Sequence, residues 1–147
     1  MSKTKITIDT GVFVEYIDRK AKYHRAAKAI IDSFGRLEIV LPSITIAEVC
    51  YVTARLLNVA GIEKALGKAI EFASWIYSHP AVEVVDNLGL HIETAKIKLE
   101  YRMALADCYV LAISKIENCK AVFRKREKEV PEQIEKDFKV VFLEDYV

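Results

Sequence analysis

The sequence is short of several things, and each shortage narrows the field. Its three cysteines, Cys50, Cys108 and Cys119, have no CxxC spacing and no histidine at metal-ligand spacing, so neither a disulfide framework nor a zinc site is expected. They read as small buried apolar residues. Five glycines and three prolines are too few for a low-complexity linker, and no stretch divides the chain, so residues 1–147 are expected to form a single domain. An excess of charge of one sign is also missing. Lys and Arg total 22 against 21 Asp and Glu, a net charge of +1, which excludes nucleic-acid binding through bulk positive potential and leaves only local patches. No apolar run approaches the roughly 18 residues needed to cross a bilayer. "MSKTKITID" enters a strand-like alternation instead of a signal-peptide core, so the expectation is a cytoplasmic protein with no membrane partner.

What is present is an apolar content of 52%, enough for a substantial core, arranged in alternating patterns. "KITIDT", "LEIVLP", "AVEVVD", "KAVF" and "KVVFL" are short runs rich in β-branched residues and read as five strands. Between them lie helical patterns. Residues 24–34 carry Ala27, Ile30, Ile31 and Phe34 on one face and stop at Gly35. "SITIAEVCYVTARLLN" and "GIEKALGKAIEFASWIYSH" read as two helices joined near Asn58 to Gly61. "NLGLHIETAKIKLEY" and the apolar stretch from Leu105 to Glu117 read as two more. Strands alternating with helices imply a mostly parallel sheet covered on both faces, with any site at the carboxyl ends of the strands.

Three acids fall at such ends, each among apolar neighbours: Asp9 in "ITIDTGVFV", Glu48 in "ITIAEVCYV" and Asp107 in "MALADCYVL". Each has a local explanation. Asp9 suits a helix N-cap, Glu48 completes a capping box with Thr45, and Asp107 suits the dipole at a helix start. Together they are harder to explain that way. Carboxylates withdrawn from water and placed side by side raise one another's pKa, and a divalent cation relieves that repulsion. Oxygen ligands without histidine or thiolate favour Mg²⁺ or Mn²⁺. Such an ion activates water and stabilises charge on phosphate oxygens, so metal-dependent phosphodiester hydrolysis is the chemistry implied.

In "IDTGVFVEYI", "LPSITIAEV", "YRMALADCYVLAIS" and "KAVF" with its charged sequel, taken in this order, the chain resembles the PIN domains, which include the toxin subunits of VapBC toxin–antitoxin pairs. The resemblance implies a three-layer α/β fold with a central five-stranded sheet and an acidic Mg²⁺ or Mn²⁺ pocket. It also implies cleavage of single-stranded RNA, homodimerisation and neutralisation by a small antitoxin. Asp9, Glu48 and Asp107 match the first three family acids. The fourth does not match: in "FRKREKE", Phe123 and Lys125 stand where a hydroxyl and an aspartate are usual, and Glu127 is the substitute in reach. Gly11 stands where many relatives carry Asn or Ser. Lys125 therefore also favours an alternative, a degenerate domain that binds RNA or protein without cleaving, since an ammonium in the pocket competes with a cation.

Other features read blandly. "DTG" at Asp9 to Gly11 matches the aspartic-protease signature, but such proteins are glycine-rich β-barrels. His24, His79 and His91 share no ligand spacing, Ser43 suits a helix start, and Trp75 and Tyr77 sit at helical spacing with Phe72 for core or dimer packing. The basic runs "FRKREK" and "DRKAKYHR" read by default as solvated faces; the functional alternative is that they flank the pocket and hold RNA phosphates.

Overall fold

The computed structural model describes residues 3–146. Five strands form one sheet: β1 (Thr4–Ile8), β2 (Leu37–Pro42), β3 (Val82–Val85), β4 (Lys120–Phe123) and β5 (Val140–Phe142). Their spatial order is β3-β2-β1-β4-β5. Every pairing between them is parallel, so the sheet is more uniform than the mostly parallel arrangement expected. Near-continuous Val, Ile and Leu in these strands is what a sheet buried on both faces requires.

Alternation along the strands sorts the core into two layers. Ile6, Ile8, Ile39, Leu41 and Val122 face α1 (Thr10–Ile17), α2 (His24–Ile31), α3 (Ser43–Val59) and α4 (Ala65–Ser78), where Phe13, Ala27, Val49 and Ile76 complete the packing. Val40, Ala121, Phe123 and Phe142 face α5 (Leu88–Tyr101), α6 (Leu105–Glu117) and the single turn α7 (Ile134–Asp137), against Leu90, Leu111 and Ile134. A 3₁₀ turn, Leu143–Tyr146, follows β5. The result is the three-layer α/β architecture expected.

Two local expectations change. The helix read from Gly61 begins at Ala65, because Gly61 takes a φ of +73° and Lys64 one of +57°. The intervening turn is closed by Ile62 N–H donating to the carbonyl of Leu57 at 2.9 Å. The segment with Pro131 also contains α7, whose four residues are too few for a periodic signal.

Among the described residues no helix is long and apolar enough to cross a membrane. Cys108 and Cys119 are buried and Cys50 half-buried, all free.

Candidate metal centre and nucleic-acid interface

Asp9 is the first residue after β1. Its N–H donates to the carbonyl of Val122 on β4 at 2.9 Å, and its Oδ2 accepts the N–H of Gly11 at 3.1 Å, capping α1. The cap reading is thus correct, and it leaves the rest of the carboxylate facing a cavity. Glu48 lies in the second turn of α3. No capping box forms, because α3 starts at Ser43 and its N-cap is Pro42, which makes no side-chain cap. Thr45 is therefore already inside the helix. Glu48 Oε1 instead accepts a hydrogen bond from the buried Thr10 hydroxyl at 2.6 Å. Asp107 sits in the first turn of α6, whose N-cap Ala104 offers no side chain to the helix end.

A cavity of about 220 Å³ opens at this sheet edge. Asp9, Asp107 and Glu127 line it together with Lys125 and Arg124, over an apolar floor that includes Met103, Phe123 and Phe142. Glu48, bonded to Thr10, does not line it, but its charge is felt at both Asp9 and Asp107. Burial raises the Asp9 carboxyl from 3.8 to about 7, with the charges of Asp107 and then Glu48 adding to the rise against the N–H of Gly11. Burial likewise raises Asp107 to about 6, with Glu48 and Glu127 contributing repulsion. Loss of water is thus the first cause at both carboxyls, and repulsion between them and their acidic neighbours adds to it.

That donor set fits a hard divalent ion. Among the described residues no three of His, Cys, Asp or Glu converge closely enough to hold one ion directly. Mg²⁺ retains several waters and takes one or two carboxylates, so it is the ion that such a loosely spaced set suits.

The segment after β4 departs from expectation most. Phe123 is buried and packs on Phe142 with ring centroids 6.2 Å apart, so no hydroxyl is available there. Arg126 turns away from the cavity. Its guanidinium bonds Glu135 at 3.0 Å and Asp145 at 2.9 Å, and lies 4.3 Å from the Phe142 ring centre. Arg124 reaches Glu15 at 3.4 Å and Glu127 at 3.3 Å. Two of the four cations in "FRKREK", Arg124 and Arg126, are thus paired internally. Lys125 is exposed, lines the cavity and has no ion-pair partner among the described residues. In the other basic run, Lys22 lies over the Tyr23 ring, while Arg19 and Lys20 are exposed.

Sequence reasoning missed two features. Glu15 is buried and holds both the N–H of Tyr23, at 2.9 Å, and Arg124; only its position on an apolar helix face hinted at this. Ser43 and His91 are joined through Asp86, at 3.1 and 2.9 Å, and His91 continues to the Tyr109 hydroxyl at 2.7 Å. Ser43 contacts the carboxylate and not the imidazole, so this chain of bonds is not a nucleophile and its base. His79 caps its own turn by accepting the N–H of Ala81. Trp75 stacks against Phe34 and Phe72 and yet is exposed, as Tyr77 is.

The PIN domain profile matches residues 6–129. No curated protein matches in sequence. Solved structures do match in fold. VapBC2 of Rickettsia felis, bound to a DNA fragment from its promoter, is 12% identical, with 95% of this chain and 98% of that one covered and a TM-score of 0.65. FitAcB of Neisseria gonorrhoeae is 20% identical, with 94% and 97% covered and a TM-score of 0.61. VapC20 of Mycobacterium tuberculosis, a sarcin–ricin-loop-cleaving toxin, is 16% identical, with 79% and 86% covered and a TM-score of 0.60.

Proposed function

This chain belongs to the PIN domain family, and from that premise we propose that it is a metal-dependent endoribonuclease of single-stranded RNA, the toxin half of a toxin–antitoxin pair. The observation that carries the reading is the pair Asp9 and Asp107, both raised in pKa and facing one cavity at the carboxyl ends of β1 and β4. The sarcin–ricin-loop cleavage and the toxin–antitoxin complexes named for the structural neighbours support it.

In this reading Asp9 and Asp107 hold Mg²⁺ or Mn²⁺, with Glu48 and Glu127 completing the negative charge around it. Bound there, the ion supplies charge stabilisation at a phosphate and lowers the pKa of water. The chain's own groups do the rest. Thr10 keeps Glu48 oriented, the Gly11 N–H keeps Asp9 oriented, and the rigid α6 fixes Asp107. Lys125 attracts the phosphate. A small antitoxin, a second copy of the chain packed on exposed α3 and α4 residues such as Tyr51, Leu66 and Tyr77, a cytoplasmic setting and a single functional domain over 1–147 belong to the same proposal.

The unpartnered Lys125 at the cavity favours a second reading, a domain that binds RNA or protein without cleaving it. Cleavage of unstructured RNA with Mg²⁺ or Mn²⁺ separates the two. The enzyme reading expects Asp107→Asn to lose about 10²- to 10³-fold, the several kcal/mol that a bound ion supplies. Wild type that cleaves no faster than the mutant leaves only the binding reading.

A further inference from the structure

Two departures from the family pattern, Gly11 and the segment after β4, meet in space. A Cβ built on Gly11 would lie 3.3 Å from Cβ of Arg124 and 3.1 Å from Oδ2 of Asp9. The Arg124 Cβ is fixed by the end of β4 and cannot retreat as a side-chain tip can. A bare Cα at position 11 is what lets Arg124 lie across the first turn of α1.

From there the guanidinium reaches two carboxylates at once. Nη1 is 3.4 Å from Glu15 Oε1 and Nη2 is 3.3 Å from Glu127 Oε1. The two ends differ in rigidity. The Glu15 side chain is only 8% exposed, and its second oxygen accepts the N–H of Tyr23, so it has no freedom to follow Arg124. The Glu127 side chain is 45% exposed and among the described residues has no other ion-pair partner. Arg124 is thus tethered at the buried end and restrains Glu127 at the other, on the cavity wall that Asp9 and Asp107 share.

We propose that Arg124, braced on Glu15 and seated over Gly11, is a positioning residue that holds Glu127 at the acidic cavity as its fourth carboxylate. The proposal rests on the reading of Glu127 as part of that site. It explains how a cavity with lysine at position 125 still gathers a fourth acid two residues further on. Restraint by a neighbouring group is how outer-shell residues tune a metal site. An opposing effect gives the test its power: a guanidinium near carboxylates also repels a cation, so deleting it for charge alone would tighten metal binding.

The test is calorimetric titration of Mn²⁺ into the full chain, with melting temperatures confirming that each variant is folded. Arg124→Gln is expected to weaken Mn²⁺ binding about tenfold, and Glu127→Gln by at least as much. The double variant is expected to bind no weaker than Glu127→Gln alone, and tighter by whatever the guanidinium's repulsion was worth, because with Glu127 gone only that repulsion is left to remove. Glu15→Gln keeps the acceptor for Tyr23, the guanidinium and every cavity carboxylate; it is expected to weaken binding in the same direction, and to do nothing once Glu127 is Gln. Arg124→Lys, which keeps the charge and loses the fork, is expected to fall between wild type and Arg124→Gln. Tighter or unchanged binding by Arg124→Gln overturns the proposal, as does the same loss with and without Glu127. If Glu127→Gln binds like wild type while Asp107→Asn does not, the reading of Glu127 fails and takes the proposal with it. If Glu127→Gln weakens binding and Arg124→Gln does not, the proposal alone fails.

Discussion

Replacing Asp9 with Asn removes one charge and little else, because Asn caps helices as well as Asp does and can still accept the N–H of Gly11. The magnitude follows from the carboxyl's displacement from 3.8 to about 7. At 1.36 kcal/mol per pH unit, that is a penalty of ~4 kcal/mol on the folded state once the group is ionised. The sign follows from linkage. The folded pKa is the higher one, so the folded state keeps its proton longer; stability is complete below pH 3.8 and is lost as the pH rises through about 7. Wild type therefore carries roughly 1–2 kcal/mol of the penalty at pH 5 and all ~4 kcal/mol at pH 8. Urea unfolding in EDTA at the two pH values should show Asp9→Asn gaining roughly 2–3 kcal/mol on wild type between them. Saturating Mn²⁺, at about 100 times its Kd, should return ~2.7 kcal/mol to wild type at pH 8 and less to the variant. Two stability curves that run parallel from pH 5 to 8 would refute the crowding argument.

Two further predictions concern the segment after β4 and the core. In RNA-binding titrations across salt concentrations, Lys125→Gln should reduce the log–log salt slope by about 0.7, one single-strand phosphate contact. Arg126→Gln should leave that slope unchanged, since its guanidinium is committed to Glu135, Asp145 and Phe142, and should instead lower the melting temperature by roughly 2–4 °C. Phe13→Ala, at a fully buried position against β1 and Phe72, should cost ~3–5 kcal/mol in urea unfolding.

Asp9 was legible because a parallel α/β chain repeats a simple grammar: an apolar strand ends, and the next polar residue stands at one edge of the sheet. Asp107 reaches the same cavity from the first turn of α6, whereas Glu48 lies a turn inside α3 and does not line it. The strands were legible because burial on both faces leaves continuous Val and Ile. What could not be read depends on residues far apart. Arg124 and Glu15 are 109 positions from one another, and no local pattern says that one will seize the other. "FRKREK" looks like a phosphate patch only while Glu135 and Asp145 are unseen. The capping box of Thr45 and Glu48 failed over a shift of three residues in the N-cap of α3, from Thr45 to Pro42 at the strand end.

The sheet order has a consequence in time. β1, made first, sits at the centre, and one of its two neighbours is β4, made after residue 119. Asp9 is held by a hydrogen bond to Val122, and Asp107, whose charge acts on it more than that of Glu48, arrives only with α6. A chain still emerging from the ribosome has Asp9 and Glu48 but not the strand that pins one or the acid that faces it. The cavity is complete only once α6, β4 and β5 have packed around β1, so its lining is assembled from the first strand and the last third of the chain.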